Sequence, residues 1–299
     1  MLPQPARRAL GDVYILPGMT QVHVLGATGR SGLALCRALE SRGIVVIPVV
    51  RDPARAAELG LAGACGADLA DPVAMAAALA DATRVACCAH ARHAAAVIQA
   101  APPAARLVLM GSTRRFSRWP DAHGSGVIAG ESALLESGRQ GVMLHPTMIY
   151  GAEGEDNVRR LAALMRRLPL LPLPGGGRNL VQPIHQDDVT ACLVAALGHP
   201  WRGPRALVVA GPAPVSYAGF ARAIAAAAGL APPRIVPVPA WLLMAASPVT
   251  VLPGLPRIRP AEIRRLLEDK AFAIDEMRAV LGVVPVGLEE GLGRMFSGQ

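Results

Sequence analysis

The chain has 299 residues, enough for one large or two small domains with a substantial core. Hydrophobic residues make up 52% of it but aromatic residues only 3%, so the core is built from Ala, Val, Leu and Ile. The formal net charge is +8, but the basic residues are scattered without interleaved aromatics, which argues against a nucleic-acid partner.

Cysteine usage and the chain start bear on the compartment. Five dispersed cysteines without C-x-x-C spacing are typical of a reducing environment rather than a disulfide framework. We expect residues 1–19, which are rich in proline and lack a long apolar core, to form a loose extension without a signal peptide. The apolar run at 235–255 contains four prolines, which argues against a transmembrane segment. These features predict a cytoplasmic protein.

The most specific pattern is the stretch QVHVLGATGRSG at residues 21–32. A short buried strand leads into Gly26, Gly29 and Gly32, after which an apolar helix begins. In a dinucleotide-binding corner the first glycine permits a tight turn, the second lets the backbone approach a pyrophosphate, and the third lets the helix pack closely. The N–H groups at the helix start then face the phosphate charge. The stretch therefore predicts a dinucleotide site.

Strands and helices alternate after this turn. The pattern predicts an irregular loop at 111–125, a helix at 130–138 and a strand at 141–145. Before that loop, strands are predicted at 44–50, 64–69, 84–89 and 106–110, and helices at about 30–42, 53–59, 72–79 and 90–100. Five β–α repeats predict an α/β fold, a Rossmann-type doubly wound parallel sheet with helices on both faces.

The second half of the chain is less regular. A soft boundary near Tyr150 separates a dinucleotide-binding core, residues 20–150, from a smaller C-terminal substrate or partner lobe, residues 151–299, that is continuous with the core. Asp187 and Asp188 precede an apolar helix and are predicted to cap it. His145 is predicted to serve in packing. Further helices are predicted at 156–168, 189–197, 217–228, 241–246, 260–268 and 288–296, and a strand at 205–210.

Together these motifs resemble those of the atypical or extended short-chain dehydrogenases/reductases, in the NAD-dependent epimerase/dehydratase group. GATGRSG is similar to the motif of NmrA-like proteins and of the Rossmann-type accessory subunit of respiratory complex I. Individually weaker landmarks follow in the family's order: VVRDP (49–53), GADLADP (66–72), a small-residue strand end (86–91), MGS (110–112), HPTMIYG (145–151), PIHQDDV (183–189) and EDKAFAIDEMRAVLG (268–282). The resemblance covers residues 22–296.

This resemblance implies which residues hold an NAD(P) cofactor. They lie in the glycine turn and at the ends of the following strands: Gly26, Thr28, Gly29, Arg30, Ser31, Gly32, Arg51, Asp68, Leu69 and Ala89. Asp68 resembles the family residue that contacts the adenine, although it is equally suited to cap a turn.

The family's catalytic dyad, a Tyr with a Lys four residues later, is absent from this chain. The single lysine is Lys270, and the family's spacing before Glu131 puts His123 at the Tyr position and Val127 at the Lys position. Two interpretations of His123 stay open: an acid/base that replaces Tyr, or a loop histidine without a catalytic role. Ser112 stands where the family has its hydroxyl helper and is the second candidate catalytic residue. No metal site is predicted.

Two arginines favour NADP over NAD. Arg51 follows the second strand, where NAD-selective corners place Asp or Glu. Together with Arg30 it suits a 2′-phosphate through bidentate, charge-assisted bonds. Asp52 keeps NAD as the alternative, because it can bind the ribose diol if the strand ends one residue later.

Three functions follow from these observations. The missing dyad favours an NADP-binding protein with a sensor, assembly or structural role, with a protein partner possible. The full-length second lobe motivates an active reductase or epimerase on a small, hydrophobic or sugar-type carbonyl substrate, using His123 and Ser112. A binder of nucleic acid or of a membrane surface, suggested by the charge of +8, is the least favoured.

Overall fold

A computed structural model describes residues 19–119, 121–151, 154, 157–168, 170–246 and 260–297. The predicted extension lies outside these ranges apart from Met19. The strands are β1 (Gln21–Leu25), β2 (Val45–Val50), β3 (Cys65–Gly66), β4 (Arg84–Cys87), β5 (Arg106–Met110), β6 (Gly141–Pro146), β7 (Ile149–Tyr150), β8 (Leu170–Pro174), β9 (Leu180–Val181), β10 (Ile184–His185), β11 (Pro204–Val209), β12 (Val215–Ser216) and β13 (Arg234–Val238).

The α-helices of the described chain are α1 (Arg30–Glu40), α2 (Pro53–Glu58), α3 (Pro72–Ala78), α4 (Ala94–Ala100), α5 (Ala122–Glu136), α6 (Asn157–Arg167), α7 (Gln186–Gly198), α8 (Tyr217–Ala227), α9 (Ala240–Ala246), α10 (Pro260–Arg265), α11 (Asp275–Leu281) and α12 (Leu288–Phe296). Short 3₁₀ turns precede α4 (Ala91–His93) and α5 (Thr113–Phe116), and a third follows β8 (Gly175–Gly177).

Seven parallel strands form one sheet in the order β11–β6–β5–β4–β1–β2–β3. The chain builds one side of the sheet from β1 to β3 and then crosses over β1 to place β4 beside it. In such a sheet, ligands bind beyond the carboxyl ends of the strands at this switch point. The predicted Rossmann-type, doubly wound α/β fold is confirmed.

Both faces of the sheet are covered, which explains why its strands are continuous apolar runs. On one face, Val24 and Leu35 pack in a cluster that also includes Cys192 and Leu193 of α7. On the other face, Leu25 and Leu107 pack with residues of α3, α4 and α5. The second half of the chain therefore contributes β11 and α7 to the core that the first half begins. The division near residue 150 stays a prediction.

The second half also forms a smaller layered region beyond the sheet. Its two-stranded ribbons are β7 with β10, β9 with β12 and β8 with β13. Helices α6, α8 and α12 pack around Tyr150 and Phe220, which are both buried.

The predicted loop at 111–125 is wrong at its C-terminal end, because α5 begins at Ala122. The Asp121 carboxylate accepts a hydrogen bond from the Gly124 N–H at 2.7 Å and caps the helix. Glycines suggested a broken segment, but they lie where the helix meets a neighbour: a Cβ on Gly130 would lie 2.1 Å from the Ala91 carbonyl oxygen. These glycines allow the helix to pack closely, at the usual cost in helix propensity.

The predicted caps of α7 are also wrong. His185 is the N-cap residue, and its Nδ1 accepts a hydrogen bond from the Asp187 N–H at 3.2 Å. Asp187 lies in the first turn, 3.3 Å from His185 Nδ1 and 3.6 Å from Arg294. The Asp188 carboxylate accepts a hydrogen bond from the Val286 N–H. The two carboxylates therefore contact residues outside α7 and do not cap its free N–H groups, whereas the sequence alone indicated capping.

We expect Gly130→Ala to lower the free energy of unfolding by about 1–3 kcal/mol, as overpacking does elsewhere. The added methyl would meet backbone atoms of Ala91, which cannot rotate away. Gly293→Ala in α12 is the matched control, since a Cβ there meets nothing within 4 Å. Denaturant unfolding of both variants checks this, and equal stabilities would contradict the close approach.

Candidate functional site

The glycine turn closes against the ends of β2 and β4. Gly26 has a φ of +71°, and a Cβ there would lie 2.9 Å from the Ala89 nitrogen. Its N–H donates to the Val49 carbonyl at 3.2 Å. A Cβ on Gly32 would lie only 2.2 Å from the Gly26 carbonyl oxygen, so α1 begins in direct contact with the turn. Side chains at either position would push the helix away from the sheet.

Five of the predicted cofactor residues line one cavity of about 280 Å³. They come from the glycine turn and from the ends of β2 and β3: Gly26, Thr28, Arg51, Asp68 and Leu69. Arg92 and His93 complete the wall beside them, and sequence reasoning missed both. They could have been found from topology, because they follow β4, which lies next to β1 in the sheet.

The remaining predicted cofactor residues lie around the turn. Gly29 is the N-cap residue of α1, and Arg30, which follows it, is exposed. Ser31 is buried, and its hydroxyl donates to Gln186 Oε1 of α7 at 3.0 Å. Ala89 contacts the turn through its backbone. Neither these four residues nor Gly32 is among the residues that line the cavity.

Two carboxylates near the cavity have partners within the chain. Asp52 caps α2 by accepting a hydrogen bond from the Arg55 N–H at 3.1 Å. Asp68 Oδ1 accepts one from the Ala70 N–H at 2.9 Å, so the turn-cap role that the sequence allowed is present. Asp68 also raises the pKa of His93, although burial and Arg92 lower it overall. The charged groups that line the cavity are thus Arg51, Arg92 and the carboxylate of Asp68, which caps its own turn. His93 favours its neutral form.

His123 lies in the first turn of α5 and packs against His90, which follows β4. The two rings meet edge to face with centroids 4.3 Å apart. Burial, followed by Arg114, lowers the pKa of His123, and burial, followed by His123, lowers the pKa of His90. Both rings therefore favour the neutral form at neutral pH. His123 belongs to a helix and has an aromatic partner, unlike the loop histidine considered from the sequence.

Ser112 contacts other residues than His123 does. Its N–H donates to His145 Nδ1 at 3.2 Å, and its Oγ accepts from the Arg114 N–H at 3.2 Å. His145 Nε2 is 2.7 Å from Glu131 Oε2, and Arg115 Nε is 2.9 Å from the same oxygen. The distances are those of ion pairs, but the angles are not those of hydrogen bonds. His145 therefore lies between the Ser112 N–H and the buried Glu131 carboxylate, which Arg115 also contacts, whereas the sequence predicted a packing role for it.

The positions of the family's dyad hold neither a hydroxyl nor an ammonium group. Val127, at the Lys position, is 1% exposed and packs in the apolar cluster on its face of the sheet. Lys270 comes from the C-terminal segment, and burial lowers its pKa, to which Arg114 adds. Glu268 anchors that segment by accepting hydrogen bonds from the Ser117 hydroxyl and the Arg118 N–H.

Comparisons with known proteins agree with this geometry. Residues 26–135 match a family model described as NAD(P)H-binding. The chain contains an NAD(P)H-binding domain. This domain extends from the glycine turn almost to the end of α5 and includes the cavity described above. It confirms the predicted dinucleotide cofactor. No curated protein sequence matches the chain.

Solved structures share the fold of this NAD(P)H-binding domain and of the lobe that follows it. The quinone oxidoreductase QOR2 of Escherichia coli, solved with NADPH, is 18% identical with a TM-score of 0.73, over 92% of this chain and 99% of that one. MoeE5, solved with UDP-glucose and NAD, is 19% identical with a TM-score of 0.69, over 93% and 97%. The UDP-glucose 4-epimerase of Thermotoga maritima is 14% identical with a TM-score of 0.69, over 93% and 97%. The predicted resemblance to short-chain dehydrogenases/reductases of the epimerase group is consistent with these findings.

Among the residues that the structure describes, no helix combines the length and the apolar character that crossing a membrane requires. Within the same ranges, no group of three or more His, Cys, Asp or Glu side chains is arranged to hold a metal ion.

The burial of His145 predicts that acid destabilises the protein. Burial lowers the pKa of His145 from 6.5 to about 4, so the unfolded chain takes up this proton first. Stability from this group is complete above pH 6.5 and is lost as the pH falls towards 4. The loss at pH 5 amounts to about 2 kcal/mol. The raised pKa of Glu131, caused by burial, acts in the opposite direction.

Unfolding free energies at about pH 7.5 and pH 5, for wild type and His145→Asn, check this expectation. Asn keeps an acceptor for the Ser112 N–H and removes the titration, so the variant should lose less stability on acidification. His199→Asn serves as the control, because its ring is only half-buried. The same pH dependence in wild type and His145→Asn would rule out His145 as the origin.

Proposed function

We propose that this chain is an NADP(H)-binding protein that serves as a sensor, assembly factor or structural subunit rather than as a conventional dehydrogenase. The observation that carries the proposal is the burial of Val127 at the position of the family's lysine. Because Val127 is packed in the apolar core, no neighbouring cation can occupy its position and take over the role of the family's lysine. The chain keeps the glycine turn of a dinucleotide site, whereas it lacks the proton-transfer dyad.

Charge around the cavity supports NADP as the preferred cofactor. Arg51 lines the cavity, and Arg92 lies in the same wall. The ion pairs found among the described residues use other arginines, so both guanidinium groups can donate hydrogen bonds to a phosphate, with Arg92 Nε also donating to His93 Nε2 at 3.1 Å. Asp52 is the residue that would favour a ribose diol, but its carboxylate caps α2. A 2′-phosphate forms charge-assisted bonds with arginine that a diol cannot form.

The first test compares the dissociation constants for NADPH and NADH. Arg51→Ala should weaken NADPH binding about tenfold or more, the usual value of a charged hydrogen bond, and leave NADH nearly unchanged. Arg30→Ala should have a smaller effect of the same kind, because Arg30 does not line the cavity. Arg55→Ala is the matched control, an exposed arginine paired with Glu58 at 2.6 Å. If neither Arg51→Ala nor Arg30→Ala changes the preference for NADPH, the phosphate-clamp proposal fails.

A second candidate is an active reductase or epimerase that uses His123 and Ser112. What favours it is the position of His123 beside His90, one short turn from the cavity residues Arg92 and His93. A nicotinamide supplies hydride chemistry when bound. His123 would hold the proton that the carbonyl oxygen takes up, and the Ser112 hydroxyl would orient that oxygen. Substrates in this case are small, hydrophobic or sugar-type carbonyl compounds.

Oxidation of NADPH in the presence of a panel of carbonyl compounds distinguishes the two candidates. A sensor or structural protein gives no turnover above the uncatalysed rate. The enzyme gives turnover that His123→Ala lowers about 10²–10⁴-fold and that rises at acidic pH, because the pKa of His123 is lowered. His199→Ala is the control. His199 is the C-cap residue of α7, so its replacement should leave the rate unchanged.

A further inference from the structure

Positive charge is concentrated in one part of the second lobe. From residue 157 to residue 246 the chain contains nine arginines but only two carboxylates, Asp187 and Asp188. Both carboxylates have partners within the chain, Arg294 of α12 for Asp187 and the Val286 N–H for Asp188. Most of the net charge of +8 therefore resides in this stretch, although arginine is scattered along the chain as a whole.

An exposed apolar face lies within this cationic region, on the ribbon of β8 and β13. The strands pair in parallel, with Leu170 opposite Arg234 and Pro172 opposite Val236. Paired residues in such a ribbon point to the same side, and alternate residues point to the other. Leu171 lies on the inner side and is 4% exposed, whereas Leu170 is 48% and Val236 37% exposed. The outer side of the ribbon thus presents Leu170, Pro172 and Val236 to solvent, with Arg234 at its beginning.

Helix α9 extends this apolar surface. It begins two residues after β13 ends, and Trp241 is 67% exposed while Leu242 is 46% exposed. Two residues lie between Val238 and Trp241, which limits the distance between their Cα atoms to about 11 Å. An exposed tryptophan next to exposed leucines is uncommon on a protein that stays in water, and large apolar patches mark interaction sites.

Exposed arginines border the apolar surface. Arg166 and Arg167 end α6, immediately before β8, and Arg234 begins β13. All three are exposed. They make none of the ion pairs found among the described residues, so each can bind an anion from solvent.

We propose that this surface docks the protein onto an anionic lipid membrane. Its members are Leu170, Pro172, Val236, Trp241 and Leu242 at the centre and Arg166, Arg167 and Arg234 at the edge; we name it the ribbon surface. Tryptophan and leucine enter the boundary between headgroups and acyl chains, while arginine binds the phosphates above it. Electrostatic attraction and a small apolar insertion act together, as reversible membrane binding requires.

Charge complementarity favours a lipid surface over a second copy of the chain. Two copies meeting at the ribbon surface would bring six arginines together, and none of the eight residues that define this surface is a carboxylate. Like charges placed opposite each other at an interface cost affinity. An anionic bilayer compensates all of them at once and also accepts the tryptophan.

Co-sedimentation of the full chain with vesicles tests the proposal. We expect binding to vesicles of phosphatidylcholine with phosphatidylglycerol, little binding to phosphatidylcholine alone, and release at high salt. Arg166→Glu with Arg167→Glu should lower the partition coefficient about thirtyfold or more, since each arginine near an anionic surface contributes about fivefold. Trp241→Ala should lower it about tenfold, the value of burying one large apolar side chain.

Matched controls lie elsewhere on the surface. Val73→Ser removes a side chain that is 78% exposed on α3, and Arg55→Glu with Arg278→Glu reverses two exposed arginines on α2 and α11. Both controls should bind vesicles nearly as wild type does, apart from a small general loss from charge reversal. Thermal unfolding and NADPH binding should be unchanged in all of these variants, because the altered side chains are exposed.

Three results would overturn the proposal. The first is equal binding to neutral and anionic vesicles, or to neither. The second is a loss in the control variants as large as in the ribbon-surface variants. The third is self-association in sedimentation velocity that Trp241→Ala abolishes while vesicle binding stays the same, which would assign the ribbon surface to a second copy instead.

Discussion

Close contact between backbone segments at the carboxyl end of β1 is the constraint on which the rest of the structure depends. The Gly26 carbonyl lies so near Gly32 that no side chain fits between the turn and α1. This contact fixes where α1 begins, and α1 in turn packs against α7 through the apolar cluster that they share. The second half of the chain is therefore positioned by the same turn that forms the dinucleotide site.

A similar constraint operates on the other face of the sheet. Gly130 allows α5 to approach the 3₁₀ turn at Ala91, and Gly126 gives room to His90 and Arg92 in the same way. The turn that supplies Arg92 and His93 to the cavity is thus held by α5. Because His123 belongs to that helix, the cavity and the candidate acid/base residue depend on one packing contact.

Function in this fold is decided by the side chains placed on a shared scaffold. Structural neighbours with under 20% identity include a quinone oxidoreductase and a sugar-nucleotide epimerase, so the fold alone leaves the reaction open. In this chain the distinctive features are a buried valine at the lysine position, a histidine pair beside the cavity and a second lobe rich in arginine. The buried valine supports the proposed lack of conventional dehydrogenase chemistry. The histidine pair supports the alternative in which His123 is an acid/base, and the arginines support the proposed docking on a membrane.

The sequence by itself determined the fold class and the dinucleotide cofactor, and it predicted where the candidate cofactor site lies. Glycine spacing and apolar runs report local backbone geometry. The residue at which each strand ends could therefore be predicted without knowing which strands lie next to each other in the sheet. It also established that the Tyr–Lys pair is absent, because that is a matter of residue identity. Arg51, Asp68 and Leu69 were found in this way, and they do line the cavity.

Only the tertiary structure decided which residues from distant parts of the chain meet. Arg92 and His93 reach the cavity because β4 lies beside β1, an order that no local pattern encodes. His145 and Glu131 contact each other across a helix and a strand, and the sequence alone suggested simple packing for His145. Glycines in α5 indicated a loop because their cost is local, whereas their benefit, close contact with Ala91, comes from a segment some forty residues away. The ribbon surface likewise exists only because pairing of β8 with β13 turns their outer side chains to solvent.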